Sequence, residues 1–228
     1  MKSRQSLPLV VAAFLGCTTL VSVVAVSPAF AQAVVTPDPR VDASGPNQLI
    51  ETAANTMITE LDARRAEFRK NPDRLYGLVE RVLLPHFDVD YAGRLVLGKH
   101  YRAATPEQRK RFIDAFYGSL MGNYGDALLE FTGDRIKVLP TPTPADATAA
   151  VVRTEVKRSN GEKVPVNYVL RKGEQGWKAW DVVIEGVSYV KSFREDFGSE
   201  IDQKGLDAVI ERLEAQHKSL RKSGNGAK

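Results

Sequence analysis

Cysteine is almost absent from this sequence: the single one, Cys17, lies close to the N-terminus. The rest of the chain therefore has no thiolate nucleophile and no intramolecular disulfide, so packing alone must hold its core. Histidine is also scarce, and the spacing of His86, His100 and His217 forms no helical pair for a zinc site. The sequence predicts no metal site and no cofactor.

Other catalytic signals are missing as well. No glycine-rich phosphate loop is present, and the segment Gly186 to Val190 lacks the second glycine of a nucleophile elbow. Ser188 in that segment is typical of a helix N-cap. Asp181 lies within an apolar strand pattern, which predicts a structural partner such as an arginine or a backbone N–H. We therefore predict that the protein is not an enzyme.

A strong excess of charge of one sign is absent too. The formal net charge is +4, and two of the positive charges, Lys2 and Arg4, fall in the N-terminal segment discussed next. This balance gives no basic footprint for nucleic acid.

The N-terminus has the pattern of a secretory signal peptide. After Lys2 and Arg4, residues 7–26 carry no charge, and Ala29-Phe-Ala31 is an A-x-A cleavage site. We predict a cleaved signal peptide over 1–31 and a periplasmic protein of a Gram-negative cell, although a cut after Ala33 also fits. Two alternatives stay open, namely an uncleaved membrane anchor and lipidation at Cys17.

Helical periodicity dominates the first half of the remaining chain. Apolar residues recur about every four positions from Leu49 to Leu61, and Asn71-Pro72 is expected to cap a second helix that Pro85 ends. A short helix follows from Asp88 to Gly98. Thr105-Pro-Glu-Gln108 is a capping-box start for a long helix that ends near Gly133.

The second half changes to the two-residue period of strands. A short strand is expected at 135–139, and Val152, Thr154 and Val156 alternate with charged residues. Asn160-Gly161 predicts a hairpin turn. Residues 177–184 form a third long strand, with Trp180, Val182 and Ile184 expected on one side. Helical spacing returns from Val187 to Phe197, and again from Leu206 to Leu213.

The order of helices, antiparallel meander and helices predicts a single α+β domain, with helices packed on a curved antiparallel sheet of about four strands. We place a flexible leader at 32–45, the domain at 46–217 and a flexible basic tail at 218–228. Periodicity identifies apolar faces but does not distinguish a filled core from a lined cavity.

Two longer motifs carry a family resemblance. LVLGKHYRAATPEQR at residues 95–109, followed by Phe112 and Phe116, is similar to the MlaC family of toluene-tolerance auxiliary proteins. WKAWDVVIEGVSYV at 177–190 is similar to a second motif of that family. Tyr101 replaces the tryptophan that many members have, and Trp180 replaces their tyrosine. The resemblance extends from about Ile50 to Leu213.

The resemblance implies a monomeric periplasmic phospholipid carrier that maintains the lipid asymmetry of the outer membrane and holds its cargo in an apolar cavity. It implies two partners, namely an inner-membrane complex of permease, ATPase and MCE-domain protein, and an outer-membrane lipoprotein–porin complex. A hopanoid carrier, a periplasmic adaptor that carries no lipid and an enzyme on the same scaffold remain alternatives.

With the apolar faces, the resemblance gives a set of candidate lipid-binding residues, all large and apolar or aromatic. They are Leu83, Phe87, Tyr91, Leu97, Phe112, Phe116, Leu120, Tyr124, Leu128, Val166, Tyr168, Leu170, Trp180, Val182, Ile184, Val187 and Phe193.

Overall fold

The computed structural model describes residues 36–129, 136–158 and 161–226, without the side chains of 122–127 and 219–226. Four predictions fall outside this part of the chain: the signal peptide, the side chain of Tyr124, the helix end near Gly133 and Asn160 of the hairpin turn.

The first half is helical, as predicted. Proline stands in the first turn of the three longer helices, where its missing N–H costs no intrahelical hydrogen bond. A 3-10 turn at Leu84–His86 contains Pro85. The helices are α1 (Pro46–Lys70), α2 (Pro72–Val82), α3 (Val89–Leu97), α4 (His100–Ala103) and α5 (Pro106–Leu128).

Local hydrogen bonds explain where two of these helices begin. The capping box of α5 is confirmed, because the Gln108 N–H donates to Thr105 Oγ1 at 3.1 Å and the Thr105 N–H donates to Gln108 Oε1 at 2.9 Å. The capping role predicted for Asn71 is wrong. Asn71 occupies the N-cap position of α2, but its side chain makes no capping hydrogen bond, and Pro72 alone marks the start.

The second half forms one antiparallel sheet in the order β1-β2-β3-β4-β5. Four strands agree with the predicted meander, and a fifth, of two residues, pairs with the end of β4. The strands are β1 (Ile136–Leu139), β2 (Ala149–Lys157), β3 (Lys163–Gly173), β4 (Gly176–Ile184) and β5 (Val187–Ser188).

Two C-terminal helices, α6 (Tyr189–Lys204) and α7 (Leu206–Gly226), complete the domain. The prediction that Val187 lies on a helical face is wrong, because β5 includes Val187 and α6 begins only after the Ser188 N-cap. The backbone of α7 continues to Gly226, into the segment predicted as a flexible tail.

A β-bulge interrupts the alternation of β4. Asp181 pairs with Val169 and Ala179 pairs with Leu170, so Trp180 has no cross-strand partner. Simple alternation therefore does not extend through Trp180, and Ala179 is the residue buried beside Leu170.

The described part of the predicted leader, residues 36–45, packs onto the helices. The Asp38 N–H donates to the Arg81 carbonyl at 3.2 Å, and Val41 belongs to the core. The Asp38 carboxylate is buried and bonds to Arg40 at 2.7 Å and to Arg81 at 3.3 Å. The hydrogen bond from Arg40 is the main reason that the pKa of Asp38 is far below its usual range.

Within the described ranges, no helix has the length and apolar character needed to span a bilayer.

Candidate functional site

The apolar interior consists of two separate clusters of buried side chains. The sheet cluster joins α1 and α2 to the inner face of the sheet; its members include Leu49, Leu61, Leu78, Val152, Leu170 and Trp177. The helical cluster joins α3, α5, α6 and α7; its members include Leu97, Phe112, Phe116, Phe197, Ile210 and Leu213. Phe87 packs against both, so the two clusters meet at this residue.

Four phenylalanines form the centre of the helical cluster. Phe116 contacts Phe193 edge-on at 5.0 Å between ring centroids, and contacts Phe197 edge-on at 5.5 Å. Phe112 also meets Phe197 edge-on, at 5.5 Å. This geometry is the favourable one for aromatic pairs, so the cluster is well packed at its centre.

Several large side chains beside the clusters are only half-buried. Such a side chain packs against the core on one side and keeps free surface on another, which is the property required of a residue that contacts a ligand. These residues are Leu83, Phe87, Leu128 and Tyr168 on the sheet cluster, and Leu120, Trp180 and Phe193 on the helical cluster.

Tyr168 shows this property most clearly. Burial raises the pKa of its phenol, so the hydroxyl lies deep in the protein. The residue nevertheless keeps accessible surface. Tyr168 therefore packs against the sheet cluster on one side and keeps accessible surface on another.

The inner face of the sheet continues beyond the sheet cluster. Val182 pairs with Tyr168, and Ile184 pairs with Val166, which places all four side chains on one face. Among the described residues, neither cluster includes Val166, Val182 or Ile184. Val166 is itself buried, and the half-buried Val182 and Ile184 extend the apolar face of the sheet beyond the sheet cluster.

A polar residue on this face is fully satisfied. Thr154 is buried, and its Oγ1 donates to the Val166 carbonyl at 2.7 Å. The face can therefore contact hydrocarbon without leaving this hydroxyl unpaired.

An ion pair fixes α3 to the sheet near the meeting point of the clusters. Asp88 Oδ2 accepts from Arg171 Nε at 2.6 Å, and Asp88 Oδ1 accepts from the Tyr91 N–H at 3.1 Å. The Arg171 guanidinium lies 4.1 Å from the centre of the Tyr91 ring. Tyr91 in turn contacts Trp180 edge-on at 5.5 Å. These contacts fix the orientation of two predicted lipid-binding aromatics.

The predicted lipid-binding residues occupy different environments. Leu97, Phe112 and Leu170 are completely enclosed in the clusters, with at most 1% of their surface exposed. They have no free surface in this state, whereas Phe116 and Val166 keep 9% and 8%. Val187 is 54% exposed on the edge strand. Ten predicted residues are half-buried: Leu83, Phe87, Tyr91, Leu120, Leu128, Tyr168, Trp180, Val182, Ile184 and Phe193. Contact with lipid stays a prediction for every residue of the set.

Met121 is a half-buried residue that the prediction omitted. It packs against the sheet cluster from α5, beside Leu120 of the helical cluster. Its signal in the sequence is its position next to the apolar stripe of α5, which periodicity alone does not separate from the core.

A groove of about 450 Å³ opens elsewhere, between the start of α1 and the proline-rich loop at 140–145. Lys172 and Trp177 also line it. It contains none of the predicted lipid-binding residues, and we assign it no role.

The described residues contain no cluster of three or more side chains suited to hold a metal ion. His86 is partly enclosed, and burial, reinforced by Lys178, lowers its pKa, which favours the neutral imidazole.

Fold and site together define an α+β domain whose sheet and helices carry half-buried apolar side chains beside two packed clusters. Comparison with known proteins identifies the family. The MlaC protein family matches residues 51–215, and the chain belongs to this family.

Individual relatives agree. The Pseudomonas putida toluene tolerance protein ttg2D is 33% identical over 168 residues, covering 73% of this chain and 78% of that protein. The intermembrane phospholipid transport system binding protein MlaC of Haemophilus influenzae is 25% identical over 174 residues, covering 75% and 81%.

A solved structure shares the fold. The phospholipid-binding protein of Ralstonia solanacearum, determined in complex with a phospholipid, has a TM-score of 0.69 and 26% identity to this chain. The match covers 75% of this chain and 96% of that one. The predicted family and fold class are thereby confirmed.

Proposed function

We propose that this protein is a periplasmic phospholipid carrier. The acyl chains would lie between the inner face of the sheet and the helical cluster, and the carrier would pass lipid between an outer-membrane and an inner-membrane complex. The observation that carries the proposal is the run of half-buried apolar side chains on one face of the sheet, at Tyr168, Val182 and Ile184. The lipid-bound relative from Ralstonia solanacearum supports it.

Energetics favour an enclosed cargo. Two acyl chains contain roughly 30 CH₂ groups, and exposing each one to water costs about 0.8 kcal/mol. Transfer through water without a carrier would cost on the order of 25 kcal/mol. Half-buried side chains such as Leu120, Tyr168 and Phe193 supply apolar contacts that offset this cost.

The chain's own role in this proposal is passive. A carrier shifts lipid according to its affinity relative to the two membrane complexes and any energy supplied there. The interior residues therefore have to enclose the chains and release them, and no reaction on the lipid is required.

A matched pair of variants on two strands of the sheet tests the proposal. Val182→Trp adds bulk on the inner face beside Tyr168, whereas Val151→Trp adds the same side chain on the outer face, where Val151 is 42% exposed. We expect Val182→Trp to lower the fraction of lipid-bound protein at least about fivefold, because the indole occupies space that the acyl chains need. Val151→Trp should retain lipid normally.

Native mass spectrometry of protein purified without detergent measures this fraction and the mass of the cargo. A two-chain phospholipid mass on the wild-type protein supports the proposal, and a polycyclic lipid mass would redirect it to a hopanoid carrier. Folded wild-type protein that never contains lipid and takes none from phosphatidylglycerol vesicles would overturn it.

A further inference from the structure

Four arginines gather at one corner of the molecule, around the turn between α3 and α4. We call this group the arginine corner; it consists of Arg94, Arg102, Arg109 and Arg194. Arg94, Arg102 and Arg194 are exposed, and Arg109 is half-buried. No acidic residue occurs in the sequence from Tyr91 to Pro106. The nearest acidic residues in the sequence are the exposed Asp90, Glu107, Glu195 and Asp196, which lie on α3, α5 and α6 beside the arginines. The turn between α3 and α4 itself carries only positive charge.

Tyr101 organises this charge. The guanidinium carbon of Arg109 lies 4.2 Å from the centre of the Tyr101 ring, and that of Arg94 lies 5.6 Å from it. Arg109 Nε also donates to the Tyr101 carbonyl at 2.9 Å. Stacking on one ring holds two planar guanidinium groups in place.

Arg194 joins the corner from α6. A Cβ atom built on Gly98 would lie 2.8 Å from its Nε, so the guanidinium rests directly on the glycine backbone. Gly98 has a φ of +53°, which suits glycine. The glycine thus permits this close approach between α6 and the end of α3.

None of these four arginines forms an ion pair with a carboxylate of the described residues. Arginines elsewhere on the described surface do, including Arg40, Arg64, Arg81, Arg111 and Arg212. Next to the corner, the Asp202 carboxylate is engaged by Lys99 at 2.7 Å. Among the described residues the guanidinium groups of the corner have no carboxylate partner, so they are available to bind a carboxylate of another molecule.

We infer that the arginine corner is the docking surface for an acidic patch of a protein in one of the membrane complexes with which lipid is exchanged. The identity of that partner rests on the proposed function, but the charge and geometry do not. Planar guanidinium groups bind carboxylates through two parallel hydrogen bonds, so a surface of Asp and Glu fits this corner.

A protein partner fits better than a bare lipid surface. Peripheral membrane binding combines basic residues with exposed large apolar side chains that enter the bilayer interface. Among the described residues, the large apolar side chains that are exposed are Val151 and Val187, and both belong to the sheet. The corner has the charge but not the apolar anchors.

Charge reversal with a matched control tests the inference. Arg102→Glu and Arg194→Glu reverse charges in the corner, and Arg153→Glu makes the same change at an exposed arginine on the outer face of β2. Binding of the lipid-loaded full chain to the detergent-solubilised inner-membrane and outer-membrane complexes would be measured by biolayer interferometry. The two corner variants should weaken binding to one complex by about tenfold or more, while Arg153→Glu stays within about twofold.

Two further measurements separate the explanations. Native mass spectrometry should find wild-type lipid retention in all three variants, so a loss of retention would mean that the corner acts on the cargo and would overturn docking. The inference would also be overturned if the wild-type protein bound neither complex, or if Arg153→Glu weakened binding as much as the two corner variants do. Loss of binding to phosphatidylglycerol vesicles with unchanged binding to both complexes would overturn it as well, and would assign the corner to membranes.

Discussion

Asp181 is a buried carboxylate whose two oxygens are both used by the start of α6. Its Oδ2 accepts from the Ser188 hydroxyl at 2.6 Å, and its Oδ1 accepts from the Val190 N–H at 3.0 Å. Ser188 Oγ in turn accepts from the Lys191 N–H at 3.1 Å. This chain of hydrogen bonds joins β4 to α6 and explains why a charged residue sits in an otherwise apolar strand.

Removing this carboxylate should be costly. We expect Asp181→Ala to lower the free energy of unfolding by about 3 kcal/mol, because it leaves buried donors without an acceptor. Asp114→Ala is the control: Asp114 pairs with Lys110 on the surface of α5, and its loss should cost less than about 0.5 kcal/mol. Urea denaturation measures both, and equal losses in the two variants would contradict this role of Asp181.

Some structural features around Asp181 are predictable from the sequence, and others are not. The N-cap role of Ser188 and the backbone partner of Asp181 were predictable, because both depend on residues close in sequence. The missing partner of Trp180 was not, because the bulge depends on how β4 pairs with β3. Register is a property of two strands together.

At the scale of elements, the turn after α3 depends on one glycine. Gly98 combines a positive φ with close packing against Arg194. We expect Gly98→Ala to destabilise the protein by about 1–2 kcal/mol, since it adds backbone strain to a steric conflict. Gly77→Ala is the matched control, and we expect it to stabilise the protein, because Gly77 lies inside α2 and a Cβ there meets nothing within 4 Å.

Thermal unfolding followed by circular dichroism compares the two glycine variants. The Gly77 variant should gain about 0.5–1 kcal/mol, since alanine is the better helix former. A neutral Gly98→Ala would show that the turn tolerates a side chain, and would weaken the case that this glycine holds Arg194 in place.

Helices and strands differ in how far the sequence predicts them. The start of α5 follows from its capping box, which is a local pattern. The two-residue strand β5 has no comparable signal, since its pairing with Val183 and Ile184 alone defines it. Periodicity selected Phe112 and Leu120 alike, yet Phe112 is fully buried and Leu120 is not. Side chains from distant helices decide that difference.

For the whole molecule, the division of the apolar interior into two clusters has a thermodynamic consequence. A single filled core would bury its side chains completely, but here Phe87, which contacts both clusters, and Leu120 and Tyr168, which each contact one, keep free surface. Contacts missing from the protein itself are the contacts that a bound lipid can supply. The proposed cargo would then stabilise the fold as well as being transported by it.

Removing the lipid should therefore lower the stability of the wild-type protein. A ligand present at about 100 times its dissociation constant adds about 2.7 kcal/mol to the free energy of unfolding, which for a domain of this size corresponds to a Tm difference of roughly 5–11 °C. We expect that difference between lipid-loaded protein and protein stripped by reverse-phase chromatography and refolded, measured by calorimetry. Hydrogen exchange should also be faster in β3 of the stripped form.

Val182→Trp provides the internal control for this experiment, since its indole should replace some of the contacts that the lipid makes beside Tyr168. Its loaded and stripped preparations should differ in Tm by less than half of the wild-type difference. Val151→Trp, on the outer face, should behave as the wild type does. Identical Tm values for loaded and stripped wild-type protein would mean that the interior is complete without cargo, and the half-buried surface at the junction of the clusters would then need another explanation.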